Sequence, residues 1–109
     1  MTLKNGLYKV TFGTPIGEGY GVIVLRDGAI LGGDSTMFYA GTYEQAAENF
    51  TASIDIATHS AVPGFGSVFG VPNAHVDLSG NIVGTSANVN GTSPQAPGVP
   101  LRASLQFLC

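Results

Sequence analysis

Two histidines are the natural starting points for chemistry in this chain. His59 closes a run that contains Asp55, and His75 is followed two residues later by Asp77. In an extended strand, residues i and i+2 project from the same face, so His75 and Asp77 are expected to stand together facing solvent. A structural metal centre takes three or four ligands, and no third stands out beside this pair. Asp55, His59 and Ser60 are neighbours in sequence, but a nucleophilic triad is defined by geometry and not by proximity along the chain. Ser67 lies in Gly66-Ser67-Val68-Phe69-Gly70, which lacks the G-x-S-x-G spacing of a nucleophile elbow.

The remaining motif-like stretches read as β punctuation. Gly17-Glu18-Gly19 and Gly64-Phe65-Gly66 precede no helical pattern whose N-terminus could receive a phosphate. Gly32-Gly33-Asp34 is expected to be a turn in which Gly33 takes positive φ and the Asp34 carboxylate accepts from following amides. Asn49-Phe50-Thr51 and Asn90-Gly91-Thr92 match glycosylation sequons, and without a secretory signal they are chance matches. The single cysteine, Cys109, has no partner for an intramolecular disulfide. The expectation is a non-enzymatic protein that uses no metal and no cofactor.

Such residues need a frame, and composition limits it. The 109 residues suit one domain, expected to span residues 1–109. Hydrophobic residues make up 44% and charged ones only 10%, the opposite of a disordered segment. Lys4, Lys9, Arg26 and Arg102 are scattered through a chain of net charge −3, so no basic cluster exists to neutralise phosphates, and direct nucleic-acid binding is not expected. No apolar run approaches the length of a membrane-spanning helix, and residues 1–6 hold no signal-peptide h-region. The expected location is cytoplasmic. With no Trp, the bulk of the core falls to the four tyrosines and to Phe12, Phe38, Phe50, Phe65, Phe69 and Phe107.

The period along the chain is two. Tyr8, Val10 and Phe12 share one face of a strand at residues 6–12. Residues 18–26 are apolar on both faces, and Asp27-Gly28 supplies a two-residue hairpin turn into residues 29–32. Residues 36–43 form the next strand. Residues 44–49 have helical composition but span little more than a turn, and are read as a connection. Residues 50–58 alternate cleanly, with Phe50, Ala52, Ile54 and Ile56 inward. Alternation resumes at residues 74–78, Ser79-Gly80-Asn81 is read as a turn into residues 82–89, residues 90–98 as a polar, mobile hairpin tip, and residues 99–107 as the last strand. Eight strands with short links imply an all-β, up-and-down antiparallel arrangement. With no helix to cover an apolar sheet face, the sheet is expected to close as an eight-stranded barrel. Residues 61–72 are an apolar loop in which Phe65 and Phe69 either plug the barrel end or meet a partner.

With the strands placed, the N-terminal half resembles the GrlR-like family of negative regulators of type III secretion. The likeness rests on Asn5-Gly6-Leu7-Tyr8, Gly19-Tyr20-Gly21-Val22, Asp27-Gly28, Gly32-Gly33-Asp34 and Phe38-Tyr39-Ala40-Gly41, and covers residues 5–58. It implies a lipocalin-like barrel that is cytoplasmic, forms a homodimer, lacks enzymatic activity and regulates transcription by sequestering an activator protein. The family's acidic, partner-binding stretch corresponds to Gln45, Ala46, Ala47 and Glu48, where only Glu48 is charged, with Glu44 just before it. Expected partner contacts are therefore Glu44, Gln45, Glu48, Phe65 and Phe69. The alternative expectation is a barrel holding an apolar, lipid-like small molecule, in a space left by the small residues Ala40, Ala52, Ala57, Ala74 and Ala103.

Overall fold

The computed structural model describes residues 2–62 and 71–109. Eight strands follow one another: β1 (Gly6–Thr14), β2 (Gly17–Arg26), β3 (Ala29–Gly33), β4 (Met37–Ala46), β5 (Asn49–Thr58), β6 (Asn73–Val83), β7 (Ser86–Thr92) and β8 (Leu101–Phe107). Each pairs antiparallel with the next, and β8 returns to β1, so the sheet closes as an up-and-down barrel of the lipocalin-like kind. The hairpin after β2 turns on Asp27 (φ 50°) and Gly28 (φ 88°). Positive φ at both central residues matches the right-handed twist of the flanking strands.

Alternation decides which side of each strand is apolar. Tyr8 and Val10 of β1, Ile23 and Leu25 of β2, Ile30 of β3, Tyr39 and Tyr43 of β4, and Phe50 and Ala52 of β5 are all buried. Met37 of β4, Ala74, Val76, Leu78 and Ile82 of β6, Ala87 and Val89 of β7, and Leu101, Ala103 and Leu105 of β8 belong to the same core. Aromatic rings fill the end of the barrel near the chain termini. There Tyr43 stacks on Phe50 at 5.5 Å between ring centroids, and Tyr8 meets Phe107 edge-on at 5.3 Å. Leu3 is buried across this end, tied by the Gln45 side chain, which accepts from Leu3 N at 2.5 Å and donates to Leu3 O at 3.0 Å. Each fully buried Leu or Phe here contributes about 1.5–3 kcal/mol.

Four sequence expectations are corrected. Residues 44–49 contain no helix: β4 runs on to Ala46, and Ala47 (φ 55°) with Glu48 makes a two-residue turn into β5. Six residues are too few to nucleate a helix, whereas Tyr43 and Gln45 both find inward partners if the strand continues. Ser79-Gly80-Asn81 is not a turn but the middle of β6; the chain reverses at Gly84 (φ 64°). Gly80 is required because a Cβ there would lie 1.9 Å from Asn88 O on the neighbouring strand. Gly33 belongs to β3, paired with Phe38, and does not have the positive φ expected of it. Residues 90–92 extend β7, and the link beyond it is anchored, since Ser93 and Ala96 are buried.

Phe38 and Tyr20 also depart from the expected core, being 45% and 67% exposed. Of the small residues expected inward, Ala40 and Ala57 lie on outward positions, beside Asp55 and Phe38 respectively. Ala52, Ala74 and Ala103 do face in. The apolar loop carrying Phe65 and Phe69 lies outside the described residues, apart from its ends.

Candidate functional site

Closure of the sheet places β5 beside β6 with Asp55 opposite His75 and Ser53 opposite Asp77, all four on the outer face. His75 Nδ1 stands 2.8 Å from Asp55 Oδ1. Its Nε2 stands 3.2 Å from Asp77 Oδ1 and 3.0 Å from Ser53 Oγ. The expected His75–Asp77 surface pair is thus present, and Asp55 joins it from the next strand. His59 is elsewhere: its Nε2 meets Asp34 O at 2.9 Å and its Nδ1 meets Ser60 Oγ at 2.8 Å. Asp55, His59 and Ser60 therefore do not converge.

Ser53, His75 and Asp55 have the order of a nucleophilic triad, but their electrostatics oppose that chemistry. The hydrogen bond to Asp55 raises the His75 pKa most. Desolvation is the next largest influence and opposes the rise, while Asp77 adds to it by both hydrogen bonding and charge. A general base must have a bare nitrogen facing the hydroxyl. Here Asp77 favours a proton on Nε2, the nitrogen facing Ser53. The amides on either side of Ser53 are committed to ladders with β4 and β6, where they cannot turn toward an oxyanion. The cluster is therefore a cross-strand clamp in which His75 bridges Asp55, Asp77 and Ser53. Among the described residues, no group of three His, Cys, Asp or Glu is arranged to hold a metal ion.

Asp34 forms the expected turn, accepting from Thr36 N at 2.9 Å, Met37 N at 2.8 Å and the Tyr39 hydroxyl. Burial alone would raise its pKa, but the hydrogen bonds from Tyr39 and the two amides outweigh it and hold the carboxyl below its ordinary value. Burial first, and then this carboxylate, push the Tyr39 phenol far above its ordinary value. It remains a neutral donor.

Of the residues expected to contact a partner, Phe65 and Phe69 lie outside the described residues, and Glu44, Gln45 and Glu48 lie on β4 and the turn after it. Glu44 is exposed on β4 and Glu48 is exposed in the turn that follows. Gln45 is half-buried and occupied by Leu3. The outward acidity of this side comes instead from Glu44, Asp55 and Asp77, on three strands whose sequences contain no Lys or Arg. Lys9, Arg26 and Arg102 lie on β1, β2 and β8, together with Glu18 of β2.

The largest unexpected feature is an apolar outer face. Val22 and Val24 of β2, Leu31 of β3 and Phe38 of β4 are 44%, 40%, 62% and 45% exposed. The ladders make them neighbours, with Val24 beside Leu31, Leu31 beside Ala40, and Gly33 between Val22 and Phe38. The signal for it was the run at residues 18–26, apolar on both faces where one face sufficed for a core. The other strands differ: β5, β6 and β7 turn Thr51, Asp55, Asp77, Ser79, Asn88 and Asn90 outward, the reverse of a lipid-embedded barrel's outer band. Among the described residues no helix is long and apolar enough to cross a membrane.

Inside the barrel, a void of about 60 Å³ is lined entirely by apolar groups, among them Ala52, Ala103, Phe12, Ile54 and Ile56. No family model matches the chain, and no curated protein matches it.

Proposed function

We propose that this chain is a non-enzymatic binding protein that acts by capturing another protein, and that the captured protein docks on the apolar outer face of β2–β4. The carrying observation is the contiguity of Val22, Val24, Leu31 and Phe38 across three paired strands, where the ladders join exposed apolar side chains into one patch. A barrel needs only its inward face to be apolar, and a contiguous outward patch marks an interaction surface. The finer form of the proposal is a cytoplasmic, dimeric regulator that sequesters a transcriptional activator, which rests on the resemblance of residues 5–58. Two further observations favour protein capture. The clamp at His75 is a poor base, and the interior void of about 60 Å³ is well below the roughly 300–1,000 Å³ of a typical small-molecule pocket, leaving a lipid-like cargo little room.

The test is a variant carrying Leu31→Glu and Phe38→Glu. Both side chains point to solvent, so its thermal midpoint should match that of the wild type. In affinity recovery and light scattering, the wild type should retain a specific partner protein or a second copy of itself, and the variant neither. Equal retention by the two proteins, or none by the wild type, overturns the proposal.

A further inference from the structure

A different surface lies across β7, β8 and β1. Barrel closure aligns Asn88 of β7, Ser104 of β8 and Thr11 of β1 in one outward row, and Asn90, Arg102 and Gly13 in the next. These rows floor an open cleft of about 330 Å³, a volume within the range of small-molecule sites. The intervening Phe12, Val89 and Ala103 turn their side chains into the barrel. Glu18 closes one end, accepting from Arg102 Nη2 at 3.1 Å. Gly13 lies beneath this pair, with Arg102 Nη2 and Glu18 Cγ both 3.4 Å from where a Cβ would stand.

The side chains of Thr11, Asn88, Asn90 and Ser104 line the cleft and make no hydrogen bond among the described residues, which leaves their donors and acceptors open to a ligand. Each Asn offers two donors and two acceptor lone pairs, and each hydroxyl offers one donor and two lone pairs. Arg102 and Glu18 neutralise one another, which leaves the cleft without net charge and without preference for an ion. Its outward side chains are polar, and carbon surface of the strands lies between them. A complementary ligand is therefore neutral and dense in hydroxyls. At the rim, Tyr20 sits directly opposite Thr11 and is 67% exposed. It presents a flat ring with an apolar body and a polar tip, suited to the C–H face of a pyranose.

We propose that this cleft binds a neutral saccharide. The asparagines and hydroxyls take ring hydroxyls, the Arg102–Glu18 pair supplies a donor and an acceptor to adjacent ones, and Tyr20 provides the stacking platform. The site shares no residue with the apolar face of β2–β4 and stands independently of the function proposed there.

The experiment is an amide-resolved NMR titration of the whole chain with glucose, galactose, mannose, N-acetylglucosamine, maltose and cellobiose. At least one sugar should give saturable shifts centred on Thr11, Asn88, Asn90 and Ser104. The pair Asn88→Ala and Asn90→Ala should weaken that binding by about tenfold or more with the thermal midpoint unchanged, and Tyr20→Ala should weaken it while Tyr20→Phe preserves it. Absence of saturable shifts with every sugar, shifts centred elsewhere, unchanged affinity in the asparagine variant, or equal shifts with sodium acetate would each overturn the proposal.

Discussion

Two inward alanines on neighbouring strands should respond to the same substitution with opposite sign. Ala103 of β8 lines the apolar void of about 60 Å³, several times the roughly 10–15 Å³ that one water requires. Ala87 of β7 is completely buried and borders no part of that void. Ala→Val adds two carbons. At Ala103 they enter empty, apolar space, where each buried carbon is worth about 0.8 kcal/mol, an upper bound near 1.5 kcal/mol. Valine also suits a strand better than alanine. The loss of side-chain freedom takes back part of the gain, leaving about 1 kcal/mol. At Ala87 the same carbons meet a close-packed wall, and overpacking costs about 1–3 kcal/mol.

Ala103→Val and Ala87→Val should therefore differ by about 2–4 kcal/mol. In a domain of this size, 1 kcal/mol moves the melting midpoint by about 4–8 °C. Thermal unfolding by circular dichroism, repeated as urea titration, resolves such a difference easily. Ala103→Val should melt several degrees above the wild type and Ala87→Val well below it. The reasoning fails if Ala103→Val is destabilised as much as Ala87→Val, because the void would then not accept the added carbons.

Two further outcomes are expected. Gly80→Ala should lose about 3 kcal/mol or more, because its Cβ would fall 1.9 Å from Asn88 O and 2.7 Å from Val89 Cα, both backbone atoms of a paired strand. Gly84→Ala, in a left-handed turn with nothing within 4 Å, should lose only the roughly 1–2 kcal/mol of that conformation, and equal urea midpoints for the two would refute the close-approach argument. At the His75 clamp the folded pKa is raised, so its stabilisation is fully present below the unfolded value of about 6.5 and disappears as pH rises through the folded value. The term is below about 1 kcal/mol because the carboxylates are exposed. His75→Gln should flatten the stability–pH curve on the alkaline side of about pH 6.5, and identical curves for the two proteins would remove the clamp.

Strand number and order were legible because each strand alternates and most links carry turn chemistry. Asp27-Gly28 even announced its turn type. Misreadings arose where a local signal had two physical meanings. Gly80 looked like a turn residue, yet its glycine serves a backbone crossing visible only once β7 lies alongside. Glu44, Gln45 and Ala46 favour helices, but Tyr43 stacking on Phe50 and Gln45 holding Leu3 reward an extended chain. The site followed the same rule. His75 with Asp77 is an i, i+2 relation within one strand and could be read directly. Asp55 and Ser53 join through the β5–β6 register, which no spacing specifies. The polar cleft was less legible still, since it unites Thr11 with Ser104 and Arg102 from opposite ends of the chain.

Closure also determines where binding can occur. A closed sheet offers no open edge for a partner strand to extend, so recognition falls to side chains on its faces. The inner face is taken up by the core and leaves about 60 Å³, so the outer face must carry any large contact. That face is divided: apolar on β2–β4, acidic across Glu44, Asp55 and Asp77, and rich in amides and hydroxyls across β7, β8 and β1. Folding alone does not demand the apolar sector. Leu31 and Phe38 alternate with the buried Ile30 and Tyr39, and polar residues in their place would leave every inward contact intact. Under the proposed function, this sector is what another protein covers. For the same reason, charge at Leu31 and Phe38 separates binding from stability in a way that no inward substitution could.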